Sequence, residues 1–155
     1  MLIPLEQFYC DTCSQLIESP REGWFEWIAL YDDNAKQFID QEFRICHHNS
    51  GCQLHPHRRG CSDLPLTDFL GELGIINLLR MIDIGPYHSA TYKGPTVKDF
   101  REYTKIVRRL TIPYYEEARQ WWNEATYDGY FGDSNEVYIY LPRSLKSLIE
   151  HYIQK

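Results

Sequence analysis

The sequence predicts an α+β fold: a small β-hairpin module held by a metal ion, packed on a C-terminal bundle of four to five helices. Three observations point there. Thiols and imidazoles gather early, at Cys10-Asp11-Thr12-Cys13 and again from Cys46 to His57, a stretch that holds four of the six histidines. Between these clusters lie two segments rich in aromatic and β-branched residues. After Ser62 the apolar residues recur at threes and fours instead. With 155 residues the chain fits one continuous domain, or a metal-bound lobe at 1–62 joined to a helical domain at 63–155.

The elements follow in order. Phe8-Tyr9 enters the first cysteine turn as a short strand, and Leu16-Ile17 leaves it. Ser19 to Gly23 is a turn. Trp24 to Tyr31 reads as a strand in which Trp24 and Ile28 share one face, while Phe25, Trp27 and Tyr31 do not all fit the other. Asp32-Asp33-Asn34 turns the chain, and Gln37 to Cys46 forms a second strand with Phe43 and Ile45 alternating. Leu64 to Asp68 begins a helical region whose inward stripe is Phe69, Leu70, Leu73, Ile76, Leu79 and Ile82. Gly71 and Gly74 break it into a short helix and a longer one ending near Gly85-Pro86. Residues 87–95 are a loop.

Thr96 then caps a helix reaching about Thr111, with Asp99 completing the cap and Val97, Phe100, Val107 and Leu110 facing inward. Pro113 suits the first turn of the next helix, which carries Tyr114, Ala118, Trp121, Trp122 and Ala125. Asp128 to Asp133 is a turn, and 135–141 is short and ambiguous. Pro142 opens a last helix with Leu145, Leu148, Ile149, Tyr152 and Ile153 on one side.

Composition narrows the function. Apolar residues make up 43% of the chain, enough for a core. Ten of the twelve tyrosines lie after residue 86, so the C-terminal half is built on aromatic packing. A net charge of −6 argues against a nucleic-acid binder that uses its whole surface. No apolar run approaches the roughly 18 residues of a membrane span. The start, Met1-Leu-Ile-Pro-Leu-Glu-Gln, lacks the basic region of a signal peptide. A soluble cytoplasmic protein is expected, and its odd number of cysteines favours metal ligation over a disulfide framework.

A neutral imidazole needs a polar partner wherever it is buried, so apolar packing does not gather these residues. Zinc does, because thiolate and imidazole are its preferred ligands in tetrahedral sets. Cys10 and Cys13 form the first half-site. Cys52 belongs to both candidate second turns, His48-x₃-Cys52 and Cys52-x₂-His55, and is the third ligand. For the fourth, His48 is preferred, because it sits where the strand ends and Gly51 lets the chain fold back. His55 and His47 are the alternates, with His47 expected to point away from His48. Cys46 reads as a core thiol, and His57 and Cys61 as spectators.

The knuckle Phe8-Tyr9-Cys10-Asp11-x-Cys13, a Trp-rich strand pair and a His/Cys turn together resemble the zinc-ribbon or zinc-knuckle modules of many small uncharacterised bacterial and phage proteins. The resemblance covers about residues 8–60. It implies a fold and a structural zinc, with no specific activity.

No Gly-rich phosphate loop, G-x-S-x-G elbow or H-E-x-x-H motif is present, so the chain carries no recognisable catalytic engine. Two surfaces are candidates for partners. Trp121 and Trp122 are adjacent on one helix, so at least one is partly exposed or meets another element, and the pair is the place expected to bind a protein. Lys98, Arg101, Lys105, Arg108 and Arg109 share a basic helical stripe suited to phosphates, unless Glu102, Glu116, Glu117 and Glu124 neutralise it. The expected function is a zinc-stabilised intracellular adaptor that binds another macromolecule, in the first place a protein. The alternatives are a nucleic-acid-associated protein using the basic face of 96–111, and a metal-dependent hydrolase using the surplus histidines.

Overall fold

The computed structural model of the chain describes residues 1–49, 51–54, 58–86, 94–132, 134 and 137–154. It is a mixed α and β architecture in which two small sheets carry the helices. Strands β1 (Phe8–Tyr9) and β2 (Leu16–Ile17) pair antiparallel around the first cysteine turn. Strands β3 (Gly23–Asp32) and β4 (Gln37–His47) form the long central hairpin. Its turn is held by the Asp32 carboxylate, which accepts the N–H groups of Asn34 and Ala35 at 2.8 and 2.9 Å. Strand β5 (Cys61–Pro65) adds antiparallel to β3, and β6 (Thr96–Val97) adds parallel to β4, giving the order β5-β3-β4-β6.

The uneven alternation of β3 has a cause. Glu26 pairs with Arg44 and Ile28 with Gln41, so β4 spends one residue more than β3 over that interval. Glu42 takes a left-handed φ of 57° there, the mark of a bulge. Strand β3 is also covered on both faces. Phe25 stacks on Phe69 at 4.0 Å between ring centroids, while Glu26 on the other side is buried beneath Leu54 and Arg44.

The segment Cys61–Pro65, expected as the approach to a helix, is an edge strand instead. It lacks β-branched and aromatic residues, so its pairing comes from the exposed edge of β3 rather than from its own propensity. A 3-10 turn (Leu66–Phe69) then leads into helix α1 (Gly71–Ile82). Its inward residues are Gly74, Leu78 and Met81, while Leu73, Ile76, Leu79 and Ile82, expected inside, are exposed. Gly74 decides the orientation, because a Cβ there would lie 2.2 Å from the Phe69 backbone. Helix α1 is apolar on both sides, so periodicity alone could not choose between them.

Helix α2 (Phe100–Thr111) starts later than expected. Thr96 and Val97 are spent on β6, and Asp99 caps the helix by accepting from Arg101 and Glu102 N–H. Its core face is Tyr103, Ile106 and Leu110, leaving Phe100 exposed. The single helix expected after Pro113 is broken into α3 (Tyr115–Ala118), a 3-10 turn and α4 (Trp122–Tyr127), with Tyr114 in a left-handed conformation before it. Helix α5 (Pro142–Ile153) buries Leu145, Leu148, Ile149 and Tyr152, whereas Ile153 is exposed. The helices do not gather into one bundle. Helices α1 and α2 share a core with the hairpin, and α3 to α5 enclose a second, aromatic one.

One buried charge on the hairpin yields a prediction. Asp40 on β4 is 2% exposed and its Oδ1 has no hydrogen-bond partner among the described residues. Burial pushes its carboxyl up to about 6, against the opposing pull of the Trp27 indole and of Arg80. An acid raised in the folded state favours folding while protonated, so stability falls as pH rises from about 4 to about 6. Asp40→Asn should therefore stabilise the protein by ~1–3 kcal/mol at pH 7 and flatten that slope. Urea midpoints measured from pH 4 to pH 7 test this; parallel curves for the two proteins would contradict it.

Candidate metal centre

The first cysteine turn is shaped by its own backbone. Cys10 N–H donates to the Gln15 carbonyl and Ser14 N–H to the Cys10 carbonyl, both at 2.9 Å, with Ser14 left-handed at φ 60°. Thr12 N–H points at Cys10 Sγ, 3.4 Å away. The second turn follows β4. Asn49 Oδ1 accepts the N–H groups of Gly51 and Cys52, which bends the chain back so that Cys52 faces the first turn. Thr12 Oγ1 donates to the Cys52 carbonyl at 2.6 Å and ties the two turns together.

These turns bring Cys10, Cys13, His47 and Cys52 together, with one ligand atom from each lying within 4.8 Å of all the others. The group could hold a metal ion. Zinc bonds of about 2.3 Å to sulfur and 2.0–2.1 Å to nitrogen, set tetrahedrally, place ligand atoms roughly 3.5–3.8 Å apart. His47 Nδ1 lies 3.4 Å from Cys13 Sγ and 3.9 Å from Cys52 Sγ. The other ring nitrogen of His47, Nε2, is 3.1 Å from the Leu16 carbonyl. A carbonyl only accepts, so Nε2 carries the proton and Nδ1 presents its lone pair to the thiols.

The thiols interact with one another as a ligand set should. Burial pushes the Cys10 thiol up, but the N–H groups of Cys13, His47 and Thr12 and the His47 ring outweigh it and hold it at about 6. Burial, with Cys13 and Cys10 crowded alongside, pushes Cys52 up to about 11. Negative charge is thus admitted at one sulfur and resisted at the next, the condition that a divalent cation reverses.

Three of the ligands expected from the sequence, Cys10, Cys13 and Cys52, are brought together. The fourth position is taken by His47, one of the two alternates, and not by His48. Strand β4 runs through His47, so the alternation of side chains sends His47 to the thiols and His48 to the other face. There His48 packs edge-on against Trp24 at 4.6 Å between ring centroids. His55, the other alternate, and His57 lie outside the described residues. Cys46 is fully buried in the core, where burial pushes its thiol well up, and Cys61 sits on β5.

Behind the first turn lies a network that the sequence did not reveal. Asp11 exchanges backbone and side-chain hydrogen bonds with Ile45, at 2.8 and 2.7 Å. Its carboxylate also accepts from Arg109 Nη1 at 2.6 Å. Arg109 reaches Glu116 at 2.6 Å and the Tyr9 carbonyl at 3.0 Å, and Arg119 closes the network on Glu116 at 3.0 Å. Arg109, assigned from its helical position to the basic stripe, is therefore a buried core cation that fixes the first cysteine turn to α2 and α3.

The proposed partner-binding residues divide. Trp121 and Trp122 are both half-buried, stacked on Tyr152 and Tyr140 at 5.7 and 5.6 Å. Lys98, Arg101 and Lys105 are exposed, and the Arg108 guanidinium lies 4.2 Å above the Tyr140 ring. Three of the four carboxylates named as able to neutralise them are engaged elsewhere. Glu102 accepts from Phe43 N–H, Glu116 holds Arg109 and Arg119, and Glu117 accepts from Leu2 N–H. Among the described residues, no carboxylate forms an ion pair with Lys98, Arg101, Lys105 or Arg108.

Comparison with known proteins finds no family model, no curated protein and no solved structure that matches the chain. Among the described residues, no helix is long and apolar enough to cross a membrane.

Proposed function

We propose that the chain is a zinc-stapled adaptor of the zinc-ribbon or zinc-knuckle kind, in which the ion is structural and a helical face docks a protein. Three thiolates and one imidazole saturate a tetrahedral ion and leave no position for water, which argues against the hydrolase alternative. The zinc would hold the knuckle against the end of the hairpin, and through Asp11 and Arg109 against the helices.

The observation that carries the docking reading is the outer face of α1. Leu73, Ile75, Ile76 and Leu79 are each more than half exposed, and Ile82 adjoins them. A contiguous apolar face of this kind marks an interaction site on a soluble protein. It replaces Trp121 and Trp122, whose stacking partners already occupy them. Glu72 at the start of this face and Arg80 near its end favour an antiparallel partner helix that is itself acidic at its start and basic at its end.

A photo-crosslinking residue at position 76, compared with one at exposed Glu150 on α5, tests the reading in cells that express the chain. A discrete protein adduct from position 76 alone is expected, and an adduct of twice the chain mass would identify the partner as a second copy. Equal adducts from both positions, or none from 76, would contradict it.

A further inference from the structure

The basic residues of α2 do not stand on a plain surface. Beside them lies a cavity of about 460 Å³ between α2, α3 and the Tyr140 segment, walled by Lys105, Arg108, Arg119, Trp122 and Tyr140, with the Asp11 and Glu102 carboxylates also on its lining. A second cavity, of about 340 Å³, continues along α2 past Phe100 and Arg101 and shares Lys105 and Arg108 with the first. The two make one groove along the helix. One exposed ring stands on it, Phe100, 59% exposed at one end; at the other, the Tyr140 ring already carries the Arg108 guanidinium and stacks on Trp122.

Cations without carboxylate partners give a helix no stability, since like charges three and four residues apart repel. Two features then coincide in the groove: cations without ion-pair partners among the described residues, and an exposed flat ring at Phe100 beside them. Phosphate alone would use the first feature and an apolar peptide the second. A ligand with alternating phosphates and planar bases uses both. We propose that this groove binds single-stranded nucleic acid, the phosphates running along Arg101, Lys105 and Arg108 and a base stacking on Phe100. This surface is separate from the outer face of α1, so the inference does not depend on protein docking there.

The net charge of −6 confines the attraction to this groove and keeps it weak at physiological salt. If Arg101, Lys105 and Arg108 each neutralise one phosphate, a rise from about 50 to 200 mM salt should weaken binding roughly twentyfold.

Fluorescence anisotropy of the zinc-loaded full chain with labelled 12-nucleotide oligo-dT and oligo-U tests the proposal, with a duplex and a poly-glutamate peptide of equal length as competitors. Arg101→Ala/Lys105→Ala should weaken binding about tenfold or more and flatten the salt dependence, and Phe100→Ala should weaken it roughly fivefold or more. All three side chains are exposed, so melting temperatures should stay unchanged and separate lost contacts from lost fold. Absence of binding at low salt, or affinity that the double variant leaves intact, would overturn the proposal. So would competition by the duplex or the acidic peptide that equals the single strand.

Discussion

Replacing Cys10 with serine should abolish the proposed zinc binding and lower the melting temperature by roughly 10–20 °C. The expectation rests on what the metal turn does mechanically. Strands β1 and β2 are two residues each and share only two residue pairs, so their own hydrogen bonds cannot hold the knuckle in place. The ion would supply the missing closure, joining the knuckle to His47 at the end of β4 and to Cys52 beyond it. Loss of a structural metal belongs to the few single changes that cost about 4–5 kcal/mol or more, and each kcal/mol is worth about 2–4 °C at this chain length. Metal analysis with differential scanning fluorimetry reads both effects. Cys61→Ser should leave both unchanged, because Cys61 lies on the β5 edge away from the ligand set. Full zinc content and an unaltered melting temperature in Cys10→Ser would refute this role. Because the ligands must lose their protons to bind, zinc should also be released as pH falls.

Arg109→Met should be nearly as damaging, at ~3–5 kcal/mol, although the side chain touches no ligand. Arg109 is 5% exposed and satisfies Glu116, Asp11 and the Tyr9 carbonyl together. Methionine fills much of the volume but leaves two carboxylates facing an apolar group, with only Arg119 to answer them. The pH dependence carries the signature. Burial pushes Glu116 up, yet Arg109 and Arg119 outweigh it and hold its carboxyl below the usual range. Its contribution is therefore complete above pH 4.5 and is lost as acid takes the pH through the depressed folded value. In Arg109→Met that acid-sensitive component should vanish. Zinc affinity should weaken as well, since Asp11 then loses the contact that fixes the knuckle. Denaturant melts at pH 7 and pH 4 measure the first effect, and competition with a chelator the second. A variant less than 1 kcal/mol weaker than the parent, with the parent's pH profile, would remove the network from the account.

What the sequence made legible was local chemistry. The C-x₂-C turn, the thiol at Cys52, the hairpin strands and the proline-opened last helix each announce themselves through residue type and short-range spacing. What it concealed was set by tertiary contact. Helix α1 has apolar residues on both sides, and the approach of Gly74 to Phe69 selects Leu78 and Met81 as the inner face. The choice between His47 and His48 turned on where β4 ends, a matter of one residue that reverses which imidazole meets the sulfurs. Arg109 looked like its basic neighbours at the helical period, and its burial depends on Asp11, 98 positions away in the chain. Strand β5 has no propensity of its own and exists because β3 offers an edge.

X-ray absorption at the zinc edge, on the purified chain and on its His47→Ala and His48→Ala variants, measures the coordination set directly. One zinc with three sulfur ligands near 2.3 Å and one nitrogen ligand near 2.0 Å is the predicted result, with the nitrogen lost in His47→Ala and kept in His48→Ala. A chain that binds no zinc, or one whose nitrogen ligand disappears with His48 and survives the loss of His47, would contradict the site at its foundation.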